Sequence, residues 1–141
     1  MKTSARNTFH CKVVAVTRAP VNAEVELQVT DTSRIVAVIT RTSADELRLA
    51  PGRSVIAMVK SSFVLLARMD DAARLSVRNR LDGTVLDRVD GGVNTEIHID
   101  IGGGKTLTSV ITRHSADALG LQTGEPVSAL FDAGHIILVV D

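Results

Sequence analysis

Short apolar runs rich in Val, Ile, Thr and Leu recur along this chain, and turn-forming residues separate them. That pattern predicts strands near 9–17, 23–29, 34–41, 54–60 and 63–67, then again near 81–89, 95–101, 106–113, 126–131 and 135–140. One short helix interrupts each set of five. Ser43-Ala44-Asp45-Glu46-Leu47 carries a Ser-x-x-Glu capping box and is followed by Pro51-Gly52 as a stop. Ser115-Ala116-Asp117-Ala118-Leu119 keeps the serine but lacks the glutamate. Thr30-Asp31-Thr32-Ser33 and Gly102-Gly103-Gly104-Lys105 stand where a tight hairpin turn belongs. Five strands with a helix between the third and fourth is the element order of an OB-type barrel. The expected fold is therefore all-β: two OB-fold-like five-stranded barrels, each with one short helix.

The doubling extends to the residues themselves. Ser4-Ala5-Arg6-Asn7 returns as Ser76-Val77-Arg78-Asn79, and Val21-Asn22-Ala23-Glu24-Val25 returns as Val93-Asn94-Thr95-Glu96-Ile97. Val38-Ile39-Thr40-Arg41-Thr42-Ser43-Ala44-Asp45 returns as Val110-Ile111-Thr112-Arg113-His114-Ser115-Ala116-Asp117, every pair 72 positions apart. Solenoid units are shorter, roughly 20–50 residues. The chain instead reads as a duplicated small domain, with copies over 1–68 and 74–141 and a linker at 69–73. A module of that size buries a modest core. With 45% hydrophobic residues and a formal net charge of zero, the chain is expected to gain further burial by assembling into an oligomer.

The composition narrows the chemistry. Met1-Lys2-Thr3-Ser4-Ala5-Arg6 is no signal sequence, no apolar stretch is long enough to span a membrane, and there is one cysteine, Cys11. These point to the cytoplasm and to no membrane partner. Cys11 falls in a strand-like run opposite Gly83 of the other copy, as a packing residue would. Gly103-Gly104-Lys105-Thr106 lacks the first glycine of a phosphate loop, since Ile99 stands there, and a strand pattern follows the lysine rather than a helix. His10, His98, His114 and His135 have no histidine counterparts in the other copy and show no metal-ligand spacing. Three phenylalanines, no tyrosine and no tryptophan, with zero net charge, argue against nucleic acid.

Three polar segments remain. Ser4, Arg6 and Asn7 precede the first strand; Thr40 and Ser43 straddle the third strand and the helix; Lys60, Ser61 and Ser62 fill the turn before the last strand. They offer hydroxyls, backbone N–H groups, a guanidinium and an ammonium, with no general base among them. A donor-only set suits a fully ionised oxyanion. The same residues also suit ordinary caps and turns, and chemistry alone leaves both readings open.

In their order and spacing these segments resemble the molybdate-binding Mop proteins (molbindins, with TOBE-type domains), in the form that carries two Mop modules in tandem. The resemblance covers nearly the whole chain twice. It implies a trimer of two-module chains that holds molybdate or tungstate reversibly at module and subunit interfaces. The anion would be stored in the cytoplasm without catalysis and without a direct protein–metal bond. It further implies oxyanion ligands at Ser4, Arg6, Thr40, Ser43, Lys60 and Ser61, and at Ser76, Arg78, Thr112 and Ser115. The second copy departs from the pattern: Asp132-Ala133-Gly134 replaces Lys60-Ser61-Ser62. A carboxylate there repels a dianion. Either the sites combine segments from different modules, or the second copy forms fewer of them. The alternative function is a non-catalytic regulatory interaction module with a degenerate anion site.

Overall fold

The computed structural model describes residues 1–68 and 75–141; the expected linker at 69–73 lies outside them. The strands are β1 (Asn7–Arg18), β2 (Asn22–Gln28), β3 (Arg34–Thr40), β4 (Ser54–Val59) and β5 (Leu65–Ala67). Their second-copy equivalents are β6 (Asn79–Asp90), β7 (Asn94–Gly102), β8 (Lys105–Thr112), β9 (Pro126–Phe131) and β10 (Ile137–Val139). Helices α1 (Arg41–Glu46) and α2 (Arg113–Leu119) follow β3 and β8, and single 3-10 turns over Ser61–Phe63 and Ala133–His135 precede the last strands. The all-β, OB-like class expected from the pattern is what forms.

The long first strand of each copy explains the curl. In β1, Phe9, Cys11 and Val13 point into the core while Thr8, His10 and Lys12 face out, the period-2 alternation of a half-buried strand. Its first half pairs with β4 and its second half with β2. A bulge between Val13 and Ala15 bends the strand from one partnership to the other, and the same bulge recurs between Val85 and Asp87 of β6.

The fifth strands are exchanged. The two sheets run β10-β4-β1-β2-β3 and β5-β9-β6-β7-β8. Leu66 pairs with Ala129 of the second copy, and Leu138 pairs with Ala57 of the first. Buried apolar residues from both copies, Phe9 and Val25 with Ile97 and Phe131 among them, form one continuous cluster. Each repeat is a unit of sequence, and each sheet is built from both repeats.

The helix cap differs from the capping box expected at Ser43. Thr40, still paired with Asn22 at the end of β3, has extended backbone (φ −70°, ψ 148°), and its side chain accepts from the Ser43 amide. Thr112 does the same for Ser115. Thr40-x-x-Ser43 overlaps Ser43-x-x-Glu46, and the β3 ladder decides for the first by keeping Thr40 out of the helix. Such a cap contributes about 1 kcal/mol. The hairpin reading of the glycine run holds: Gly102 pairs with Lys105, and Gly103 and Gly104 have φ of +62° and +73°, as a two-residue turn between twisted strands requires.

Cys11 is buried, and its thiol is pushed up to about 11, chiefly by burial. Gly83 occupies the equivalent place because a Cβ there would lie 2.3 Å from the Asp100 carbonyl oxygen. Cys11 is a packing residue, and a thiolate-directed alkylating reagent at neutral pH should label it only after denaturation. Stoichiometric labelling of the folded chain, read by mass spectrometry, would contradict this. Among the described residues, no helix is long and apolar enough to cross a membrane.

Candidate functional site

The Ser-x-Arg-Asn segments sit where the two copies meet, and their asparagines put them there. Asn7 is buried; its Nδ2 donates to the Thr108 carbonyl (2.8 Å) and its Oδ1 accepts from the Thr108 amide (2.7 Å). Asn79 makes the same pair of bonds to Val36, at 2.9 and 2.8 Å. Val36 and Thr108 are themselves repeat equivalents, so a pseudo-two-fold relation links the copies. Each amide side chain imitates one peptide unit and satisfies an outer strand (β3 or β8) of the opposite sheet. The asparagines are thus committed to backbone, and the serines and arginines beside them carry the remaining polar chemistry.

The Lys60-Ser61 turn is fixed against the other copy as well. The Ser109 hydroxyl donates to the Val64 carbonyl at 2.7 Å, tying the end of that turn to β8. Ser61 is buried, while Lys60 stays exposed with its Nζ 5.7 Å from the centre of the Phe63 ring. Phe63 stacks on His135, ring centres 4.3 Å apart. Those two are also repeat equivalents, so the stack lies where the copies face each other.

A cavity of about 240 Å³ opens at this junction, lined by Thr3, Ser4, Lys60, Phe63, His135 and Ile137 among others. The structure thus brings together Ser4 and Lys60 of the expected ligands. Thr3, Phe63 and His135 were missed by motif reading; the 72-residue spacing of Phe63 and His135 was the available signal. A second groove, about 400 Å³, is lined by Ser115 with Leu65, Leu66, Ile111 and His114. A larger cavity of about 490 Å³ around His10, Lys12, Thr30 and Asp141 holds none of the expected residues. Donor chemistry, not volume, is the better guide here, because an oxyanion is small.

Thr40, Ser43, Thr112 and Ser115 do not line that cavity. Thr40 Oγ1 accepts from the Ser43 amide at 3.1 Å and donates to Ser43 Oγ at 2.8 Å. Thr112 and Ser115 repeat this at 3.1 and 2.9 Å. Ser76 is exposed and lies outside the Ser4–Lys60 cavity.

The cations divide sharply between copies. Arg6 is held by its own segment, with Nε donating to the Ser4 carbonyl (3.4 Å) and Nη2 to the Thr3 carbonyl (3.2 Å). Among the described residues neither Arg6 nor Lys60 has a carboxylate within ion-pair distance. Arg78, in contrast, is paired with Glu24 of the first copy. Asp132 takes the place of Lys60, and its carboxylate accepts from the Gly134 amide at 3.2 Å. Among the described residues, two cations around the first-copy segments therefore have no carboxylate partner. Around their second-copy equivalents the one cation is neutralised and an anion is added.

Comparison with known proteins fits this doubled frame. The TOBE domain profile matches residues 3–66 and again 75–138, the same 72-residue offset. The chain belongs to the TOBE domain family. Molybdenum-pterin-binding protein MopA of Rhodobacter capsulatus is 55% identical over 140 residues, which is 99% of this chain and 53% of MopA. This TOBE chain thus spans about half the length of that relative. Molybdenum-pterin-binding protein 2 of Clostridium pasteurianum is 36% identical over 65 residues, 46% of this chain and 96% of its own length. A crystal structure of the cytoplasmic molybdate-binding protein ModG, with molybdate bound, is 41% identical and superposes with a TM-score of 0.96, covering all of both chains. The resemblance to tandem Mop proteins read from the motifs is borne out.

Proposed function

We propose that this tandem TOBE chain binds intact molybdate or tungstate reversibly in the cytoplasm and serves as a store for the anion, without catalysing a reaction. The observation that carries this reading is the full-length likeness to molybdate-bound ModG at 41% identity. The charge distribution supports it independently. A tetrahedral dianion needs donors and about two positive charges, and Arg6 and Lys60, with no carboxylate partner among the described residues, supply two cations near Ser4. Binding through hydrogen bonds alone leaves the metal's oxygens in place and the exchange reversible.

The proposed ligands are Ser4, Arg6, Thr40, Ser43, Lys60 and Ser61, with Ser76, Arg78, Thr112 and Ser115 as the weaker second-copy set. Assembly, as a trimer, would complete the sites. Two repeat pairs stand among the exposed large apolar residues: Val21 and Val93 at 75% and 77% exposure, Leu65 and Ile137 at 55% and 62%. The Val21 carbonyl accepts from the Arg41 amide, directly beside Thr40, and the Val93 carbonyl accepts from the Arg113 amide, beside Thr112. A neighbour that covers Val21 would also enclose the Thr40–Ser43 pair, and contacts of this kind shield apolar patches.

Titration calorimetry with molybdate, tungstate, sulfate and phosphate tests the function. Molybdate and tungstate should bind tightly and the other two weakly. Equal weak heats from all four would refute it. Native mass spectrometry of the same samples should report trimers carrying the anion.

A further inference from the structure

The glutamate of the Val-Asn-x-Glu segment is present in both copies, as Glu24 and Glu96, and the two carboxylates do different things. Glu24 reaches across and pairs with Arg78. By the two-fold relation that sets Asn7 on Thr108 and Asn79 on Val36, Glu96 and Arg6 are the equivalents of that pair. Yet Glu96 makes no ion pair with Arg6. Its Oε1 lies 3.4 Å from Nε2 of His98, whose Nδ1 bonds Asp87 on the neighbouring strand. The first copy has no such device: Glu26 stands where His98 would be and pairs with Arg34 at 3.0 Å, and Ala15 stands in place of Asp87.

We infer that His98 is a positioning residue: by holding Glu96 it keeps Arg6 free of a carboxylate and so reserves that guanidinium for an oxyanion. The inference rests on the reading of Arg6 as an anion ligand. Its chemistry is simple competition. A guanidinium paired with a carboxylate, as Arg78 is, offers a dianion less net charge and fewer free N–H donors.

The other charged groups around His98 are already engaged. Asp87 on β6 faces it directly, and the adjacent Arg88 is held by Asp90 and by Asp117 of α2. On its own strand, beyond Glu96, Asp100 accepts from the Gly102 amide at 2.9 Å. On β8 the one charged residue, Lys105, donates to the His10 and Val29 carbonyls at 2.6 Å each. On α2, Arg113 leans on Asp117 at 3.9 Å, and His114 is exposed. Glu96 and Asp87 thus decide the charge of His98. Burial works against its protonation, but the two carboxylates outweigh that and raise its pKa above the ordinary value. The sign of the pH effect follows. Below that raised pKa the imidazolium holds Glu96; as pH rises through it the hold fails, Glu96 turns to Arg6, and anion affinity falls.

Calorimetry of molybdate binding by the full chain, from about pH 6 to about pH 9, tests this with His98→Ala, Glu96→Gln, His98→Ala/Glu96→Gln and Arg6→Ala. At the acid end His98→Ala should bind about fivefold more weakly than the parent, the most that an exposed ion pair withholds, and should lose the pH dependence. Adding Glu96→Gln should restore the affinity, because an amide cannot neutralise a guanidinium. Glu96→Gln alone, which leaves the histidine in place, should bind as the parent does in acid and keep that affinity as pH rises. Arg6→Ala weakened while His98→Ala keeps the parent's affinity and pH profile would overturn the inference alone. Should His98→Ala not fold, a Glu96→Gln chain that retains the parent's fall in affinity would overturn it equally. An Arg6→Ala chain binding like the parent, or a parent that binds no molybdate, would instead overturn the anion-site reading and the inference with it.

Discussion

Lys60→Ala is expected to cut molybdate affinity by about tenfold to a hundredfold, while Asp132→Ala leaves it unchanged or raises it. A hydrogen bond to a charged group contributes about 1.5–3 kcal/mol, and each 1.4 kcal/mol is about tenfold in affinity. Lys60 lines the cavity with Ser4, carries no carboxylate partner among the described residues, and is exposed enough that truncation spares the core. Asp132 holds the same place in the other copy, but its carboxylate is occupied with the Gly134 amide and repels an incoming dianion. Calorimetry on both variants, with unfolding curves to show that each is folded, decides the matter. Loss of binding in Asp132→Ala with no effect in Lys60→Ala would mean that the site has been assigned to the wrong turn.

The second large effect is on stability. Asn7→Ala and Asn79→Ala should each destabilise the chain by about 2–5 kcal/mol, because each leaves one backbone amide and one carbonyl on the opposite sheet without a partner. For a chain of this size that lowers the melting temperature by roughly 10 °C. The two variants should behave alike, since Val36 and Thr108 are held in the same way. That equality contrasts with the inequality expected of Lys60 and Asp132. Urea titration should show a lower midpoint with an unchanged slope. A loss below about 0.5 kcal/mol, the range of an indifferent surface change, would refute the clamp.

Much of the fold was legible because the signals were local. The strand runs, the glycine hairpin and the interrupting helices each depend on neighbours within a few positions, and the repeat wrote each of them twice. The exchange of β5 and β10 was not legible. Leu65-Leu66-Ala67 announces a strand, but nothing in three residues says whether it joins Val59's sheet or Leu130's. The cap was ambiguous for a related reason: two capping patterns overlap at Ser43, and pairing with Asn22, distant in sequence, selects Thr40. At the candidate site, the residue types in the three polar segments were readable, and the loss of Lys60-Ser61 in the second copy was too. That Arg78 is neutralised by Glu24 while Arg6 is not could not be read, because the controlling partners, Glu24, Glu96 and His98, lie on strands contributed by elsewhere in the chain.

The exchanged strands carry a consequence for how such a chain changes over time. In a protein made of one repeat, trading a last strand needs a second molecule, and the trade is at the mercy of concentration. In the tandem chain both donors are tethered, so the exchange proceeds at the fixed effective concentration of a linked partner. Pairing is then guaranteed whatever the second copy does with its polar residues. One copy can keep the ammonium and hydroxyls of Lys60-Ser61 while the other drifts to Asp132-Ala133. The drifted copy remains indispensable, because it still lends its partner a strand.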